Sequence, residues 1–174
     1  MKALKKLELQ LISELLRNSR RSDRELSKKL GVSQPTVSRM IKRLEGQGII
    51  KEYTIIPDFA KIGYQLFTVT LVKHKENLSS KEFSEHAEKA LERAKSGESP
   101  EMVMAEVGIG LGYDAVILAY ARDYSSHREF IDRIRSFQHL EAGETQSFIV
   151  NLNGKDRYRP LTHQTLANHV AEGL

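Results

Sequence analysis

The stretch from Ser22 to Gly48, SDRELSKKLGVSQPTVSRMIKRLEGQG, limits the fold of this chain more than any other. Ser22 and Glu25 stand at capping-box spacing, where hydroxyl and carboxylate each satisfy the other residue's backbone N–H. Leu26 and Leu30 continue a helical stripe, and Gly31 ends it where a positive φ is useful. Ser33 then caps a second helix, with Pro35 in its first turn, where a missing N–H costs little. Inside that helix Val37, Met40, Ile41 and Leu44 share one side at 3.6-residue periodicity. Pro35, Ser38, Arg39, Lys42 and Arg43 take the other side, with Gln34 and Thr36 at its edges. Two short helices, a tight turn and one basic face make a helix-turn-helix.

A charged face on an exposed helix is ordinary unless something else singles it out. Here the charge distribution does. The chain has 174 residues and a net charge of +4, but residues 1–51 carry 13 Lys/Arg against 5 Asp/Glu, a net of +8. Residues 52–174 carry 14 against 18, a net of −4. One half is built to meet a polyanion, and double-stranded DNA is the partner that a helix-turn-helix implies. Ser38, Arg39 and Lys42 are placed to reach base edges, with Gln34 and Thr36 as flanking readers and Ser33 beside them. Arg20, Arg21, Lys28, Lys29 and Arg43 are assigned to phosphates, which position the protein without reading sequence.

Other chemistries find little support. The chain has no cysteine, so disulfides and thiolate metal sites are excluded. Its six histidines form no i, i+4 pair and no HExxH, and no metal or cofactor is expected. There is no P-loop and no readable Ser–His–Asp grouping, so the chain reads as a binding protein, not an enzyme. No apolar run approaches the roughly 18 residues of a membrane span, and no signal-peptide core opens the sequence, so a cytoplasmic location is expected.

The remainder predicts an α+β chain. Residues 4–17 form a first helix with Leu7, Leu11 and Leu15 on its buried side, which completes a DNA-binding domain over residues 1–52. Ile49–Ile56 is rich in β-branched residues and reads as a wing strand, with residues 53–63 as strand and hinge. From Tyr64 the period changes to two, and strands are predicted at 64–73, 101–107, 113–121 and 144–152. Capping boxes at Ser79–Glu82 and Ser126–Glu129 open two intervening helices. The order βαββαβ over residues 64–152 gives a ferredoxin-like antiparallel sheet with helices on one face. The other face, with Phe67, Val69 and Leu71, needs cover that a second copy of the chain would supply. Residues 153–174 form a tail with a short helix from about Leu166.

Gly108-Ile109-Gly110-Leu111-Gly112 reads as a glycine-rich turn. It is followed by a strand rather than a helix, which argues against a dinucleotide fingerprint and for a hairpin or the close approach of a ligand or subunit. Asp114, at the turn–strand junction, can meet an ammonium group or simply cap the turn.

From Leu7 to Leu152 the sequence resembles the Lrp/AsnC (feast/famine) regulators, archaeal branch. The resemblance is carried by RSDRELSKKLGVSQPTVSRMIKRLEGQGIIKEYTIIPDFAKIGY and by Gly112-Tyr113-Asp114. It implies a DNA-binding transcriptional regulator that dimerises through its C-terminal domain and often assembles further. It also implies an amino-acid or other small-metabolite effector near Gly110, Gly112, Tyr113 and Asp114. Two alternatives are an effectorless architectural DNA-binding protein and an enzyme laid out like siroheme decarboxylases. The net +8 of the first 51 residues argues against the second, because a purely scaffolding helix-turn-helix has no need of it.

Overall fold

The computed structural model describes residues 4–74, 85, 88, 92, 101–136, 140–154 and 161–172. It divides into two units: Met1–Ile56 with Arg157–Leu174, and Pro57–Asp156.

In the first unit α1 spans Lys6–Arg17, α2 Asp23–Leu30 and α3 Gln34–Gly46. The Ser22–Glu25 capping box forms: Ser22 Oγ accepts from Glu25 N at 3.3 Å, and Glu25 Oε2 accepts from Ser22 N at 2.8 Å. Gly31 ends α2 at φ 67°, a left-handed conformation that favours glycine. Ser33 occupies the N-cap of α3 in extended backbone, but its hydroxyl pairs with that of Thr36 at 2.8 Å, and it is the Ser33 carbonyl that accepts from the Thr36 and Val37 N–H groups, at 3.0 and 3.2 Å. Leu11, Leu26, Val37 and Leu44 are fully buried together, with Met40 beside them. A last helix, α5 (Gln164–Glu172), belongs to this unit, and Ser13 of α1 donates to its Ala167 carbonyl at 2.6 Å.

The expected wing strand does not form. Residues 51–57 carry no strand ladder. Their β-branched sequence favours extension, but no strand among the described residues pairs with them, and a strand needs a ladder partner.

The second unit is one antiparallel sheet in the order β2-β3-β1-β4. Its strands are β1 (Leu66–His74), β2 (Met102–Gly110), β3 (Tyr113–Ala121) and β4 (Leu140–Asn151). Helix α4 (Tyr124–Arg135) covers one face, packing Phe130, Ile131 and Ile134 on Val72, Ile117 and Ala119. Its N-cap is Asp123, three residues before the expected Ser126. The Asp123 carboxylate accepts from Ser126 N at 2.8 Å, and Ser126 Oγ accepts from Asp123 N at 3.1 Å. The expected helix near residues 79–95 lies outside the described residues, except that Glu85, Glu88 and Glu92 are helical and exposed.

Alternation puts Phe67, Val69 and Leu71 on the opposite face. Pairing adds Val116, Leu118 and Tyr120 from β3, and Phe148 and Val150 from β4. One end of this face is roofed by residues 57–64: Phe59 stacks on Tyr120 with ring centroids 3.7 Å apart, and Tyr64 meets both rings edge-on. Beyond that roof Phe148 stands 72 % exposed.

Candidate nucleic-acid interface

The recognition face begins with the packing of α3. Val37, Met40 and Leu44 anchor one side in the core, which turns Gln34, Pro35, Arg39 and Lys42 outward as exposed residues. Ser38 is half-buried between them, and Thr36 is held by Ser33. Arg20 and Lys28 are exposed on the preceding elements.

Three other expected phosphate contacts hold carboxylates. Arg21 pairs with Glu14 of α1 and donates to the Glu14 carbonyl at 3.0 Å. Lys29 approaches the same carboxylate at 3.5 Å, and Arg17 binds its other oxygen at 2.8 Å. Arg43 pairs with Glu8, which is 5 % exposed and also caps α1 through the Lys5 N–H at 2.6 Å. Glu14 thus ties α1 to α2, and Glu8 ties α1 to α3. A carboxylate left alone at Glu8 would be costly, so the pair fixes α3 against α1.

At the other end of α3, Tyr53 donates to Glu45 Oε1 at 3.0 Å. Burial, followed by the Glu45 contact, pushes its phenol up to about 12, so it stays a hydrogen-bond donor across physiological pH. Glu25 is held below the ordinary carboxylate range, first by the Ser22 backbone N–H and then by its hydroxyl.

The glycine-rich stretch is a tighter structure than its sequence suggests. β2 runs on through Gly108 to Gly110, which pairs with Tyr113, so the turn is only Leu111-Gly112. Their φ values of 55° and 80° mark a two-residue hairpin with both central residues left-handed. Gly112 answers that requirement. Gly108 and Gly110 have no such φ, and no atom lies within 4 Å of where a Cβ would sit on either. Tyr113 and Asp114 begin β3, both half-buried.

A family model described as winged helix-turn-helix DNA-binding matches residues 4–51. An uncharacterized HTH-type transcriptional regulator of Pyrococcus horikoshii, PH0061, is 30% identical over 145 residues, covering 81% of this chain and 91% of the relative. The chain belongs to the Lrp/AsnC family of DNA-binding transcriptional regulators. Its Pyrococcus relatives fit the archaeal branch. The HTH-type transcriptional regulator LrpC of Bacillus subtilis is 43% identical over 60 residues, 34% of this chain and 42% of LrpC. The fold agrees over nearly the whole length. The crystal structure of PH0061 matches with a TM-score of 0.71 at 24% identity, covering 93% of this chain and 99% of that one. A Neisseria meningitidis regulator solved as an L-Met complex, NMB0573, matches at 0.69 and 21% identity, covering 94% and 99%.

In this Lrp/AsnC protein the residues that the sequence reading missed are acidic. Glu8 falls on the α1 stripe with Leu4, Leu11 and Leu15, and a buried carboxylate on an apolar stripe signals a cation partner. Glu14 lacks that signal, because its partners come from three different turns of chain. Among the described residues no group of acidic or histidine side chains is placed to hold a metal, and no helix is long and apolar enough to cross a membrane.

Proposed function

We propose that α3 reads a DNA major groove with Gln34, Ser38, Arg39 and Lys42, while Arg20 and Lys28 hold flanking phosphates. The observation that carries this reading is a division of labour among the cations. Arg21, Lys29 and Arg43 pair with Glu14 and Glu8, although Lys29 and Arg43 keep exposed side chains, whereas Arg39 and Lys42 have no carboxylate partner among the described residues and lie exposed on the one face of α3 that the core does not use. Arg21 and Arg43 then act by holding the reader in shape, and any phosphate contact they make is secondary. A chain that keeps this face acts by binding and not by catalysis.

A second copy of the chain covers the open sheet face. Val69, Leu118 and Phe148 lie side by side there, too much apolar surface for a lone sheet to leave wet. Two-fold pairing would set two recognition helices to read half-sites about 34–36 Å apart, and the operator would be a rough palindrome.

An amino acid or similar small polar metabolite is the proposed effector, bound near Gly110, Gly112, Tyr113 and Asp114. Open space above Gly110, whose φ alone does not call for glycine, supports a close approach there. The L-Met complex of NMB0573 is the chemical precedent. Footprinting on genomic DNA, repeated with a panel of amino acids, tests the whole reading. Regulation predicts protected palindromes whose affinity shifts with one ligand by about 5–150-fold, the range of ordinary allosteric coupling. Asp114→Ala should abolish the shift and keep the footprint. Footprints that no ligand changes would favour the effectorless architectural alternative.

A further inference from the structure

Helix α1 is buried on more than the side facing α2 and α3. Leu11 and Leu15 point into the core, while Ser13, around the helix, is 1 % exposed against α5. Ala167 of α5 is fully buried, small enough to let the two helices meet closely. Beside this contact Asn168 Oδ1 accepts from Arg17 Nη2 at 2.6 Å. The same Arg17 binds Glu14, which binds Arg21 and Lys29. A continuous polar chain therefore runs from the C-terminal helix, through α1, into the helix-turn-helix.

The route of the backbone gives this contact a second meaning. Where β1 begins, Leu66 pairs with Asn151, and Leu152 N donates to Gln65 O at 2.7 Å. The segments that enter and leave the sheet unit thus run side by side at one end of it, one from the DNA-binding unit and the other back to it.

We propose that the outer face of α1 is a docking surface for the chain's own C-terminal helix, and that this docking controls DNA affinity. With α5 in place, Arg17 and Glu14 are held and the α1–α2 ties are complete. With α5 displaced, Ser13 and the side of α1 around it meet water, the network loosens, and α3 is presented less firmly. The effect on DNA rests on the DNA-binding reading above, whereas the docking does not.

The test compares the full chain with one ending at residue 160 and with full-length Ala167→Glu, which puts a carboxylate into the buried contact. Hydrogen exchange is followed in α1 and in β1 and β3, and affinity for mixed-sequence duplex DNA is measured at low salt. Both variants should raise α1 exchange at least tenfold, leave β1 and β3 unchanged, and weaken duplex binding at least fivefold. A peptide of residues 161–174 added to the shortened chain should restore both. If the shortened chain does not fold, Ala167→Glu decides. Unchanged α1 exchange, loss of protection spread equally over the sheet, or unchanged affinity despite exposed α1 would each overturn the proposal. A parent chain that binds no duplex would remove the DNA-binding reading, and α1 exchange would still decide the docking.

Discussion

The two units bury similar cores but treat the rest of their surfaces in opposite ways. In the DNA-binding unit Leu11, Leu26, Val37 and Leu44 are sealed, α5 covers a further side of α1, and the free side of α3 is polar and basic, while exposed apolar side chains fall outside the three-helix core, at Ile49, Tyr53, Ile55 and Ile56 and at Leu161 and Leu166. In the sheet unit α4 seals one face over Phe130 and Ile134, while the other keeps Val69, Leu118 and Phe148 half-buried or bare. The first unit closes its helical core within one chain and turns the charged side of α3 outward. The second stops half-closed. An apolar face is satisfied by another apolar face, and a basic face by a polyanion, so the two units ask for different partners.

The sharpest way to break this comparison is to open the closed unit. Leu44→Ala removes a fully buried side chain next to the recognition face and should cost about 2–5 kcal/mol. Chemical denaturation should show the DNA-binding unit failing first, with the sheet transition in place. Phe148→Asp attacks the half-closed unit at its most exposed aromatic on the open face. Sedimentation should show the proposed dimer weakened roughly 30-fold or more, about 2 kcal/mol, the size of an interface hot spot. Unchanged assembly would mean that the open face is not the dimer surface.

Smaller changes sharpen it. Ser22→Ala removes one half of the capping box and should lower the stability of the DNA-binding unit by about 1 kcal/mol. His127 offers a pH test in the sheet unit. It is 8 % exposed on α4, and burial holds its imidazole below the ordinary 6.5. The unfolded chain therefore takes up a proton before the folded one, so the contribution of neutral His127 is full above pH 6.5 and is lost as pH falls through the lowered value. His127→Gln should flatten that slope in thermal melts and leave the DNA-binding unit unaffected.

The sequence displayed these units unequally. Local rules were legible: the Ser22 box, the Gly31 stop and the apolar side of α3 all rest on neighbours within one or two turns. The four antiparallel strands followed from period-two alternation. What escaped depended on distance in the chain. Glu14 meets Arg21 and Lys29 only after two helices have packed, and Ala167 meets Ser13 across 154 residues of sequence. The hairpin escaped for the opposite reason. Three glycines suggested a long loop, but only Gly112 needs its φ, and Leu111 supplies the other left-handed residue that glycine would ordinarily provide.

The central claim is that Arg39 on the exposed side of α3 reads base edges, whereas Lys28 on α2 only holds phosphate. It is tested most directly by the salt dependence of operator affinity in the parent chain, Arg39→Ala and Lys28→Ala. The parent's affinity should fall steeply with salt as counterions leave the phosphates. Arg39→Ala should cost about 1–3 kcal/mol and relax base preference, whereas Lys28→Ala should weaken all sequences alike and reduce the salt slope by about 1. Equal, sequence-independent losses from both substitutions, or no duplex binding by the parent at low salt, would contradict it.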